Sequence, residues 1–267
     1  DQIATSQDFA LARYNSDGSL DTGFGRDGTV TTDIASNWDE ASAMAVQNDG
    51  RILLAGRSVV QTSHASRTVV VRYLADGSLD PTFGDGGRVF PFFGYPTEVL
   101  CSLAVQPDGK IVAVGYGSNP ASNNQALALF RLNRDGTLDS DFGGGYRFFY
   151  DFGVFNLQAS VALQADGKIL VFSTNGSRAS LWRYDSNGSL DTSFGNWGWL
   201  ATGVQVQNEG SALSIEADGR ILVTGSRYRV GGHYDFALAR YNSNGSPDDG
   251  FGTHGLVATA ISPLTSG

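Results

Sequence analysis

Cysteine is almost absent from these 267 residues, histidine is scarce, and no long apolar run occurs. The single cysteine, Cys101, permits neither an intrachain disulfide framework nor a thiolate zinc cluster. It stands beside an apolar run and reads as a small buried residue. His64, His233 and His254 occupy unrelated places, and no His-x-x-x-His or Glu-x-x-His spacing exists. A histidine-based metal or catalytic centre is therefore not expected. No Gly-x-Ser-x-Gly elbow appears, no Ser–His pairing suggests itself, and no catalytic residue is assigned. The roughly 18–20 apolar residues that cross a bilayer are also missing, so membrane insertion is not expected. Lysine and arginine (18) are outnumbered by aspartate and glutamate (27), for a formal net charge of −9. That balance argues against nucleic-acid binding, which needs a basic patch.

Repetition is what the sequence does contain. Arg13-Tyr14-Asn15-Ser16-Asp17-Gly18-Ser19-Leu20-Asp21-Thr22-Gly23-Phe24-Gly25 returns at 72–84, 131–143, 183–195 and 240–252. A second phrase, Ala45-Val46-Gln47-Asn48-Asp49-Gly50-Arg51-Ile52, returns from Ala104, Ala162 and Ser214. Each unit holds four short runs, in the first complete unit roughly 43–47, 51–56, 68–73 and 87–92. Their length and their Val, Ile, Leu, Phe and Tyr content are those of strands. Asp49-Gly50 and its equivalents, ending at Gly109, Gly167 and Gly219, predict two-residue hairpin turns, because glycine supplies the positive φ. Asp21, Asp80, Asp139, Asp191 and Asp248 are expected to cap one helical turn each and to bury the phenylalanine three residues on. Arg13, Arg72, Arg131, Arg183 and Arg240 are expected to bridge those aspartates or the turn carbonyls.

Four-stranded meanders repeated every 52–59 residues predict an all-β chain, a β-propeller of antiparallel blades. Complete blades are placed at about 41–92, 101–150, 158–203 and 210–260 of a single 1–267 domain, and 1–33 contributes the outer strands of a further blade. The small residues Ala43, Ala45, Ala104, Ala162 and Ala212 suit an innermost strand crowded at the axis. The arginine phrase occurs five times and the Asp-Gly hairpin four. Either the termini combine into the fifth blade of a ring, which is the preferred expectation, or the chain is an arc of a longer propeller. The order of phrases resembles the NHL repeats. The wording FALARYNSDGSLDTGFGRDG followed by AVQPDGKI resembles the bacterial delta-60 repeat family, from about Asp8 to Ala260. The resemblance implies a propeller fold and no particular reaction.

Some motif matches are turn chemistry. Gly23-x-Gly25-x-x-Gly28 leads into no helix pattern. Asn15-x-Asp17-x-Ser19-x-Asp21 lacks the distal glutamate of a calcium loop.

Positions that vary between copies are the better guide to function. Asp39, Glu98, Asn156 and Asn208 lie eleven residues before each hairpin glycine. In a propeller they would converge at one mouth of the channel as an oxygen-rich ring suited to calcium. Gluconolactonase-like propellers hold a catalytic metal at a comparable place, an analogy at the level of fold. Trp38, Tyr95, Phe152, Phe155 and Glu209 lie in the same loops and could contact a sugar or peptide. The outer-strand aromatics Phe90, Phe92, Phe93, Tyr146, Phe148, Phe149 and Tyr150 read as packing between blades, with an oligomer contact as the alternative.

The leading expectation is a non-catalytic, bacterial extracellular or envelope propeller whose loops bind a protein or carbohydrate. A metal-dependent, calcium-type hydrolase or lyase using the ring is the first alternative. A structural module completed by another segment of a larger surface assembly is the second. The chain opens at Asp1 without methionine or a signal segment and reads as a processed or excised piece.

Overall fold

Short runs rich in apolar, β-branched and aromatic residues, cut by Asp-Gly and Asn-Gly, are too short and too often broken for helices. The computed structural model describes residues 7–34, 38–59, 65–119, 124–150, 158–175, 178–205, 212–229 and 233–260, and all its regular elements are strands. The chain divides into two compact units, residues 1–151 and 152–267.

In the first unit, β1 (Phe9–Ala12) and β2 (Thr29–Thr32) form a two-stranded sheet. An antiparallel meander follows: β3 (Trp38–Val46), β4 (Ile52–Val59), β5 (Ser66–Tyr73) and the very short β6 (Arg88–Val89). A second meander runs through β7 (Thr97–Val105), β8 (Ile111–Asn119), β9 (Asn124–Leu132) and β10 (Tyr146–Tyr150). One parallel pair, Ser66 with Thr97, joins the two meanders. The second unit holds two more meanders. One is β11 (Ala159–Leu163), β12 (Ile169–Asn175), β13 (Arg178–Tyr184) and β14 (Trp199–Ala201). The other is β15 (Leu213–Ile215), β16 (Ile221–Arg229), β17 (His233–Tyr241) and β18 (Leu256–Thr259).

The hairpin turn differs from expectation. Gly50 N–H donates to Gln47 O at 2.9 Å and Gln47 N–H to Arg51 O at 2.8 Å. Gly50 has φ +83°, whereas Asp49 is not among the positive-φ residues. This is a three-residue loop with glycine in the left-handed position, because a two-residue type I′ turn would need positive φ at Asp49 as well. Asp49 instead turns its Oδ1 to the Arg51 amide at 3.1 Å.

The aspartate phrase folds as expected. Phe83 N–H donates to Asp80 O at 3.1 Å, closing one turn, and Asp80 Oδ1 accepts from Thr82 N–H at 3.0 Å. Arg72 Nε donates to Asp80 Oδ2 at 2.8 Å, and the guanidinium lies 4.5 Å from the Phe83 ring centroid. The same Arg–Asp pair forms at Arg13, Arg131, Arg183 and Arg240, at 2.7–2.8 Å. Phe24, Phe83, Phe142 and Phe194 are buried, whereas Phe251 is half-buried. The turn also docks onto the following repeat within each unit. Gly84 N–H donates to Asp135 O at 2.7 Å, and Arg72 donates to Arg134 O.

Apolar faces seal these contacts. Leu53, Ala55 and Val70 of the first meander pack with Leu103, Ile111, Ala113 and Phe130 of the second. On the other face of the first meander, Ile52, Leu54, Val69 and Val71 pack against Phe9 and Phe24. Phe93, Phe130 and Tyr146 cluster with centroids 5.3–6.1 Å apart. Phe90 and Phe92, grouped with them in the sequence pattern, are exposed. Pro91 ends the β6 pairing because it has no N–H to contribute.

The inner strands β3 and β7 are nine residues long and each carries a bulge, between Ala41 and Ala43 and between Leu100 and Ser102. The extra residues are Ser42 and Cys101, and Cys101 is half-buried there rather than buried as expected. Side chains alternate with period two, so an added residue changes which face the preceding positions occupy. Ala43 and Ala45 pair with Ala55 and Leu53, whereas Asp39 pairs with Ser58, on the face of Ile52 and Leu54. The bulge thus turns Asp39 towards the β1–β2 sheet.

Candidate functional site

Asp39 and Glu98 hold equivalent places at the starts of β3 and β7, and both are buried, 2% and 0% exposed. Asp39 Oδ2 accepts from the Ile34 amide at 2.8 Å. Glu98 Oε1 accepts from the Phe93 and Tyr95 amides at 2.9 and 3.1 Å. Each carboxylate therefore ties the end of one antiparallel set of strands to the start of the next. Its second oxygen, Asp39 Oδ1 or Glu98 Oε2, is buried without a hydrogen-bond partner.

Burial raises the Asp39 carboxyl above its ordinary value. The Ser58 hydroxyl and the Ile34 amide oppose the rise, and the charges of Asp33 and Asp8 add to it. Ser58 lies across the ladder, yet neither its hydroxyl nor Asp39 Oδ1 completes a hydrogen bond. Burial likewise raises Glu98, against the Tyr95, Phe93 and Gly94 amides.

Trp38 stands at the outer end of β3, 49% exposed, and its Nε1 donates to Gln7 Oε1. With Glu40, Arg57, Val59, Ser66 and Thr97 it walls a cavity of about 220 Å³ where the two meanders meet. Arg57 clasps Glu40 Oε2 through Nε at 3.0 Å and through the NH2 nitrogen (Nη2) at 2.7 Å. Ser66 Oγ is committed to the junction, donating to Glu98 O at 2.9 Å. Tyr95 is half-buried, its ring lying where a side chain at Gly117 would project. The arrangement offers an aromatic face beside a charged fork. A larger cavity of about 470 Å³ lies at the hairpin end of the same strands, among Arg51, Arg72 and Arg134. Its guanidiniums hold Asp49, Asp80 and the Asp108 carbonyl and belong to the scaffold.

Of the residues singled out from sequence, Trp38, Asp39, Tyr95 and Glu98 are placed as above. Asn156, Asn208 and Glu209, with Phe152 and Phe155, lie outside the described residues. The structure brings Asp39 together with Asp8 and Asp33, one carboxylate oxygen of each lying within 4.8 Å of the others. Sequence reasoning missed Glu40 and Arg57. Their available signal was an opposite-charge pair found in the first complete repeat, where the second has Val99 and Tyr116.

The family described as "Domain of unknown function (DUF5122) beta-propeller" matches residues 1–24, 47–83, 106–142, 164–194 and 216–251, more than half of the chain. The chain belongs to this DUF5122 β-propeller family. The DUF5122 segments cover the Asp-Gly hairpins and the Arg–Asp–Phe turns, whereas Trp38, Asp39, Tyr95 and Glu98 fall between them.

No curated protein matches the sequence. Among solved structures, the β-propeller domain of the Trilobed protease from Pyrococcus furiosus is similar with TM-score 0.44 and 9% identity, covering 81% of this chain and 59% of that one. The DUF5122 chain thus spans less than two thirds of that domain's length. An α-L-arabinofuranosidase from Clostridium thermocellum is similar with TM-score 0.40 and 9% identity, covering 79% and 70%. One from Podospora anserina, in complex with cellotriose, has TM-score 0.40 and 12% identity, covering 92% and 76%.

Proposed function

We propose that this β-propeller chain is a non-catalytic binding scaffold, and that its ligand is a carbohydrate seated in the Trp38 cleft. The observation that carries the reading is the exposed Trp38 face beside the Arg57–Glu40 fork in a cavity of about 220 Å³. A sugar ring offers an apolar face to stack on indole and hydroxyls for a guanidinium and a carboxylate. A peptide carrying an aromatic residue next to a charged one is the second ligand class. The calcium-dependent hydrolase reading is less well supported, because among the described residues Asp39 gathers with Asp8 and Asp33 and not with Glu98.

We place the chain in a bacterial extracellular or envelope setting, and we read the β1–β2 sheet as the outer half of a fifth blade in a closed ring. Support for the ring is the count of phrases, five arginine words against four Asp-Gly hairpins. An electron-microscopy reconstruction showing an open arc would end that reading.

Binding is tested on glycan and peptide arrays, followed by titration of the strongest glycan against the wild type, Trp38→Ala and Arg57→Ala. The expected result is saturable glycan binding that both substitutions abolish while the melting temperature stays within a few degrees. Blank glycan arrays, or binding indifferent to Trp38→Ala, would overturn the proposal.

A further inference from the structure

We propose that Asp8, Asp33 and Asp39 form a binding site for one hard divalent cation of the calcium type, where the β1–β2 sheet meets the start of β3. Three segments converge there. Asp39 N–H donates to Gln7 O at 2.8 Å, and Ile34 N–H donates to Asp39 Oδ2 at 2.8 Å. One carboxylate oxygen from each aspartate lies within 4.8 Å of the others. An ion about 2.3–2.6 Å from each oxygen fits among groups so spaced, and calcium accepts 6–8 oxygens in flexible geometry, water included.

Asp39 supplies the second observation. It is 2% exposed, and with Oδ2 committed to Ile34 its buried Oδ1 has no hydrogen-bond partner. A buried carboxylate oxygen without a donor is costly unless a cation or a proton completes it. Asp8 and Asp33 are exposed and leave the site open for an ion and its waters.

The repeat itself shows that the scaffold does not need these acids. At the positions of Asp8 and Asp33, set by the strand ladders, the later repeats carry Arg67 and Phe92, Ala126 and Tyr150, Arg178 and Gly203, and Asp235 and Ala260. Only the first repeat joins three carboxylates, although Glu98 keeps the Asp39 role of tying one set of strands to the next. The bulge in β3 turns Asp39 towards its two partners. The site is distinct from the Trp38 cleft, and its test needs no sugar.

The test is calorimetric titration of the EDTA-treated full chain with calcium chloride, with thermal melts run in parallel. One ion per chain is expected, with a dissociation constant of about 10⁻⁴–10⁻³ M, the range of extracellular calcium-binding modules. The melting temperature should rise with calcium concentration, as for any ligand of the folded state. Asp8→Asn and Asp33→Asn, both at exposed positions, should each weaken binding about tenfold or more, whereas Asp85→Asn should leave it unchanged. No saturable binding by the wild type, or wild-type affinity in both asparagine variants, would overturn the proposal. Asp39→Asn is a further check, and the two exposed substitutions carry the test if it fails to fold.

Discussion

Arg72 Nε lies 2.8 Å from Asp80 Oδ2 in a pair nearly sealed from water, the side chains being 7% and 1% exposed. Asp80 keeps a second partner, the partly exposed Arg51 at 2.9 Å, so removing Arg72 leaves the buried carboxylate only partly compensated. Arg72→Ala should lower stability by about 3 kcal/mol, the low end for breaking a buried pair. The equivalent Arg13–Asp21 pair is 37% and 30% exposed, so Arg13→Ala should cost about 1 kcal/mol or less. Urea midpoints of the two variants test the contrast, and equal losses would contradict it.

Acid should unfold the chain in a defined window. Burial acts to raise the Asp80 carboxyl, but the Thr82 hydrogen bonds, Arg72 and Arg51 outweigh it and hold the value at about 2, against an ordinary 3.8. The folded state therefore binds fewer protons than the unfolded chain between these values. The stabilisation is complete above pH 3.8 and is lost as pH falls towards 2; it amounts to about 2 kcal/mol. Asp139, Asp191 and Asp248 are lowered in the same direction, again against burial. Denaturation at pH 7, 4, 3 and 2 should show the loss setting in below about pH 4. Constant stability down to pH 2 would refute it.

Glu98 should show the opposite sign. Burial raises its carboxyl above 4.5, so its contribution is largest below that value and is lost as pH rises through the raised one. Glu98→Gln cannot ionise and can still accept from the Phe93 and Tyr95 amides. Its stability relative to wild type should improve from pH 4.5 to pH 8. Glu98→Ala orphans both amides and should cost about 2–3 kcal/mol at pH 4.5, a cost that shrinks as pH rises because alanine, like glutamine, does not ionise. A pH-independent difference between glutamate and glutamine would show that Glu98 is not held in this way.

Gly56→Ala should be among the most damaging small substitutions. An added Cβ would sit 2.0 Å from Glu40 O and 2.9 Å from Ala41 Cα, both backbone atoms at the bulge. A clash with backbone cannot be relieved by a rotamer change, and a loss of about 2 kcal/mol or more is expected. Position 173, the equivalent in the third repeat, is serine, and there Ala159 pairs directly with Ser173. Ser173→Gly should therefore gain nothing from the smaller residue and should lose about 1 kcal/mol or less to glycine's backbone freedom. A wild-type melting temperature for Gly56→Ala would refute the clash.

Much of this fold could be read in the chain. The Asp-Gly turns and the Arg–Asp–Phe unit depend on residues no more than about eleven apart, the four-run meander pairs strands that follow one another directly, and all recur often enough to be recognised. One detail was misread: positive φ at Gly50 alone makes the hairpin loop three residues long. The site was only partly legible. Trp38, Asp39, Tyr95 and Glu98 stood out because they differ between copies, but their roles did not follow from spacing.

The sequence by itself determined the repeating local contacts, because turn φ values, caps and alternating apolar runs are written in neighbouring residues. Tertiary structure alone decided where the carboxylates point. A single extra residue at Ser42 sends Asp39 to the opposite face of β3 from Ala43 and Ala45. There it meets Asp8, 31 positions earlier in the chain, and Asp33. A period-two strand reads the same on either face until something interrupts it, and the bulge shows only in the ladder of hydrogen bonds.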